Sequence, residues 1–66
     1  MRLYKVTVTG SNHTFRQRHT EDFVTFAKDE RTAKKKAGDY FISINGKQDE
    51  IIYRCDEIEK YSTLIV

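Results

Sequence analysis

"ERTAKKKAGDYFISING", residues 30 to 46, can be read as one helix or as a half-helix followed by a hairpin, and the choice decides the fold. In the helical reading Asp29 caps the start, and Glu30 sits in the first turn, where the helix dipole favours an anion. At about 100° per residue, Ala33, Ala37, Tyr40, Phe41 and Ile44 then share one stripe. Arg31 and Lys35 point the opposite way, with Lys34 and Lys36 on the shoulders. Asn45 and Gly46 can take the left-handed conformation that closes such an element. In the competing reading Gly38 stops the helix, "YFISI" is a strand and "NG" is a type I′ turn. That register sets Ile44 against Lys47 and Ile42 against Asp49, giving apolar side chains charged neighbours in place of packing partners. The sequence therefore favours the helix, at a cost of about 1 kcal/mol for a glycine in its middle.

Upstream, "LYKVTVTG" (3 to 10) alternates strictly, Tyr4, Val6 and Val8 against Lys5, Thr7 and Thr9, the period of a strand with one buried face. "SNHTFRQRHTED" is polar and aperiodic and reads as a long connection. "FVTFAKD" (23 to 29) is β-branched and aromatic enough for a second strand, antiparallel to the first. Downstream, "IIYRC" (51 to 55) is a third, and "IEKYSTLIV" can extend it, bend into a fourth or pair with another molecule. The expected fold is one α+β domain over residues 1 to 66, a two-layer ββαβ(β) arrangement with a small antiparallel sheet and one helix on one face.

Sixty-six residues are near the lower limit for a core without staples. The single cysteine, Cys55, cannot form an internal disulfide, and with two histidines it is too little for a structural zinc site. These counts lead us to expect a reducing, cytoplasmic setting and no metal or other cofactor. No apolar run approaches the roughly 18 residues of a membrane span, and the alternating N-terminus is unlike a signal peptide, so a mature soluble chain is expected. The net charge of +2 is far from that of a dedicated nucleic-acid binder. It hides an asymmetry, however. Residues 1 to 37 hold nine Lys/Arg against four Asp/Glu, and residues 38 to 66 hold three against six.

Two candidate surfaces follow. With the helix on one face, the other face of the sheet is expected to show Lys5, Thr7, Phe23, Thr25, Ile52 and Arg54, while Tyr4, Val6, Val8, Val24, Phe26, Ile51 and Tyr53 face the helix. An apolar centre ringed by polar groups marks a protein contact, unless the C-terminal "YSTLIV" folds back over it. If that segment stays an open strand, it offers a route to a homodimer. The second surface is cationic: Arg16 and Arg18 around Phe15 in the polar connection, with Arg31, Lys34, Lys35 and Lys36 on the helix, a set that suits phosphates and a stacked base. The ordinary reading is a solvated helix face and a solvated loop. "AKKKAG" resembles the start of the last helix of double-stranded RNA-binding domains, but that family ends on its helix and this chain does not. Cys55, His13 or His19 and an aspartate could be assembled into a nucleophile and base, yet a chain this short rarely encloses the pocket such a site needs, and no enzyme is expected.

As a whole, with "LYKVTVTG" opening and "FVTFAKDERTAKKKAGDYF" running strand into helix, the chain resembles the small accessory proteins that phages and prophages encode. The resemblance implies a protein that binds and modulates a host or viral component and brings no catalytic residues. A protein partner is thus the first expectation, nucleic acid the alternative, and a membrane is not expected.

Overall fold

The computed structural model describes residues 1 to 58. Strand β1 (Arg2–Asn12), strand β2 (Gln17–Ala27), helix α1 (Glu30–Asn45) and strand β3 (Glu50–Glu57) follow in that order. The sheet is antiparallel throughout, ordered β2-β1-β3, with the alternating strand β1 at its centre. This is the two-layer α+β fold read from the sequence. Residues 59 to 66, the proposed fourth strand and dimer arm, lie outside the described residues.

Residues 30 to 45 form the single helix among the described residues. Asp29, extended at φ −154°, accepts the N–H of Thr32 at 2.8 Å, satisfying one of the donors that every helix start leaves open. At the other end Gly46 takes φ 83° and donates its N–H to the Ile42 carbonyl at 2.7 Å, a conformation that costs glycine nothing. The strand reading of residues 40 to 44 is thereby excluded. Gly38, the doubtful point in the sequence, faces the sheet: a β-carbon there would fall on the Tyr53 hydroxyl, with the ring carbons Cε1 and Cζ at 3.1 Å. The helix gives up propensity at that position so that a tyrosine can cross beneath it.

The core is small. Tyr4, Val6 and Val8 of β1, Ala27 at the end of β2, and Ala33, Ala37 and Phe41 of α1 are buried, with Phe23, Ile51 and Cys55 packed around them. The alanines bring the helix close to the sheet, and Phe41 fills the gap at its far end. Gly10 marks that limit, since a β-carbon there would stand 2.5 Å from Phe41 Cε1. Tyr40 and Ile44, which the helical stripe placed in the core, are more than half exposed. Tyr40 still closes edge-on against Phe23, with ring centroids 5.5 Å apart.

Two expectations are corrected. The polar stretch 11 to 22 is not a long connection. It carries the hairpin ladder on to Asn12↔Gln17, leaving residues 13 to 16 as the turn. There the Asn12 side chain accepts the Phe15 N–H at 3.2 Å, and Arg16 adopts φ 52°. Residues 13 to 20 are all exposed, so the hairpin outruns the helix. With no face to bury, those strands show no apolar alternation. The second correction is the phase of β2. Val6 pairs with Phe23, and Tyr4 with Thr25, which puts Phe23 and Thr25 on the helix face and turns Val24 and Phe26 to the open face. A one-residue shift in a strand exchanges its two faces, and "FVTF" is apolar enough on both to hide the difference.

Candidate functional site

The open face of the sheet is built from every second residue of three strands. Lys5, Thr7, Ile52 and Arg54 lie on it as expected, with Thr7 directly opposite Arg54 and Ile52 opposite Thr9. Phe23 and Thr25 do not. Their places are taken by Val24 and Phe26, which with Leu3, the direct partner of Phe26, form an apolar group at one end of the face. Val24 is 61% exposed, Phe26 51% and Ile52 51%. Ile52 stands six residues further along β1 than Leu3, about 20 Å away at strand spacing.

The charges on this face are mixed. Arg54 lies 3.8 Å from Asp56, and Lys5 is the pairing partner of Asp56. Thr7 donates to Asp22 at 2.6 Å, and the hydroxyls of Thr9 and Thr20 meet at 3.0 Å. Lys5 and Arg54 thus each have an acid beside them, an arrangement that offers a polyanion little net attraction. It does offer a protein surface polar contacts beside the apolar group.

The cationic set is divided. Arg16 and Arg18 sit at the hairpin tip, Arg18 opposite Ser11, whereas Lys36 reaches the Phe26 carbonyl at 2.9 Å, opposite Leu3. Eight strand residues separate those levels, about 27 Å. The lysine run is also engaged locally: Lys34 with Glu30 and Lys35 with Asp39, both at 3.1 Å and both i,i+4 pairs. Such exposed pairs contribute only a few tenths of a kcal/mol each, but they place an acid beside two of the three ammonium groups. Arg31 is exposed near the helix start.

Cys55 lies on the helix face opposite Val6, half-buried, and burial pushes its thiol above the ordinary range, with the charge of Glu30 adding to the shift. A thiol held protonated is a poor nucleophile. His19 pairs at Gly10, four residues along β1 from Val6, about 13 Å away, and His13 lies further still, in the turn beyond Asn12. The elements of a nucleophile and base are therefore not brought together. Among the described residues no cluster of three or more histidine, cysteine or acidic side chains is placed to hold a metal ion, and no helix is long and apolar enough to cross a membrane.

Sequence reasoning missed one feature of the site. A groove of about 280 Å³ opens between β2 and α1, with Phe23, Tyr40 and Ala37 among its walls and Lys36 at its rim. Only the correct phase of β2 reveals it, because that phase turns Phe23 toward Tyr40. No protein-family model, curated protein or solved structure matches this chain.

Proposed function

We propose that the chain is a non-catalytic binding module that docks a protein partner on its open sheet face, in the manner of a phage-type accessory protein that modulates what it binds. The observation carrying this reading is the apolar group Leu3, Val24 and Phe26 on a face that no described element covers, bordered by interleaved charges of both signs. Exposed apolar groups with a polar rim are characteristic of protein contact sites. The partner this chemistry fits presents an apolar projection ringed by mixed charge. Nucleic acid is the less favoured alternative, since the cations lie in two groups and two of the three lysines are paired with acids.

The test is capture from the native cell by the immobilised chain. One specific protein is retained by the wild type and lost by both Val24→Asp and Ile52→Asp, whose circular dichroism stays unchanged because both side chains are exposed. Retention by both variants overturns the reading. Titration of labelled single- and double-stranded nucleic acid at two salt concentrations examines the alternative. Tight binding that falls steeply with salt would move the function to the cationic set.

A further inference from the structure

Among the described residues no strand pairs with the outer edge of β2, and that edge is complementary to itself. The Ile58 N–H donates to the Leu3 carbonyl at 2.8 Å, so the odd-numbered residues of β1 turn their backbone groups toward β3 and the even-numbered ones toward β2. Through the register Tyr4↔Thr25 and Val6↔Phe23, the odd-numbered residues of β2 then bond inward. Arg18, Thr20, Asp22, Val24 and Phe26 point their N–H and C=O groups away from the sheet. The Phe26 carbonyl is met there by Lys36 Nζ at 2.9 Å, which agrees with the parity and closes that end. β2 is an outer strand of the sheet, so residues 18 to 24 present an edge to which a further strand can add.

Residues 18 to 22 read Arg-His-Thr-Glu-Asp. We propose that two copies of this chain pair through this edge, antiparallel and centred on Thr20, to form one continuous six-stranded sheet. In that register Arg18 faces Asp22 of the second copy, His19 faces Glu21, and Thr20 faces Thr20. The outward-facing residues 18, 20 and 22 supply about six backbone hydrogen bonds, two for each directly bonded pair. Only residues of like parity can pair, and the other centres oppose like groups: Arg18 to Arg18, His19 to His19, Glu21 to Glu21 or Asp22 to Asp22. Opposite charges across a ladder stabilise and like charges destabilise, so the sequence selects one register and discourages foreign strands.

The turn fits the same arrangement. A twofold axis normal to the sheet keeps both helices on one face. It carries Phe15, 70% exposed at the tip, past Thr25 of the second copy, where the groove between Phe23 and Tyr40 opens. An aromatic exposed at the tip and an apolar groove that no described side chain fills are brought side by side. The inference stands apart from the partner reading, because in-plane pairing leaves the open face uncovered and doubles it.

Sedimentation equilibrium of the full chain across concentration tests it. The wild type is expected to double in mass as concentration rises. Arg18→Asp and Asp22→Arg should each raise the dimer dissociation constant about tenfold or more, since each sets like charges opposite one another at two places. An equimolar mixture of the two variants should recover wild-type affinity, because each new charge then faces its opposite. Circular dichroism of each variant confirms that the fold is retained. A wild type that stays monomeric overturns the proposal. So do variants that dimerise as well as the wild type, which would place the contact elsewhere, and a mixture no tighter than its components.

Discussion

Gly38 shows how a residue that is wrong for its element can be right for the packing. In a helix interior it forfeits about 1 kcal/mol relative to alanine, and that cost kept the strand reading open in the sequence. The structure supplies the return, since Tyr53 crosses where the β-carbon would stand. Gly38→Ala in the wild type is expected to destabilise by about 1 kcal/mol, overcrowding outweighing propensity. With Tyr53→Ala in the background the same change should stabilise by about 1 kcal/mol. Chemical denaturation of the four proteins in the cycle measures both, and equal effects in the two backgrounds would break the link. At the helix start, hydrogen bonding from the Thr32 side chain and its backbone N–H holds the Asp29 carboxyl below its ordinary value. A carboxyl depressed in the folded state contributes stability that is present above the unfolded value of about 4 and is lost as pH falls through the folded one. Asp29→Ala should lower the melting temperature at neutral pH. Asp29→Asn should keep the cap and lose less stability in acid than the wild type does. Thermal melts between neutral pH and acid check both.

The elements were legible wherever a buried face imposed a period. Tyr4, Val6 and Val8 declared β1, and the stripe through Ala33, Ala37 and Phe41 declared the helix with its Asp29 and Gly46 boundaries. The hairpin beyond Gly10 was not legible, because strands exposed on both faces carry no alternation and are held by their backbone ladder alone. The phase of β2 was hidden for the opposite reason: Phe23, Val24 and Phe26 give both faces an apolar claim, and only pairing with Val6 decides. That one error exchanged Phe23 and Thr25 for Val24 and Phe26 in the candidate face, while Lys5, Thr7, Ile52 and Arg54 were placed correctly. An uneven ladder should also open unevenly. Measured by amide exchange at concentrations low enough to keep the chain monomeric, the inward-facing amides of His19 and Glu21 are expected to exchange faster than that of Phe23. Uniform protection along β2 would show that the tip needs no helix to be held.

At the scale of the molecule, the helix covers one end of a sheet whose long hairpin continues past it, and the chain extends 42 Å along its longest axis against 16 Å along its shortest. The buried side chains lie between the helix and the sheet, whereas the proposed contacts use the opposite face of the sheet and its β2 edge. Among the described residues the buried side chains all belong to this one core, and the open face, the β2 edge and the tip lie outside it. Substitutions at the contact regions should therefore alter association before they alter folding, as the paired charge variants test directly. The turn at residues 13 to 16 follows the same division. A short flexible peptide grafted there would ride on the end of a lever, clear of the core. The recombinant product should melt like its parent, and yet, if two copies meet as drawn, it should be unable to seat its twin, turning a place for a harmless label into a wedge.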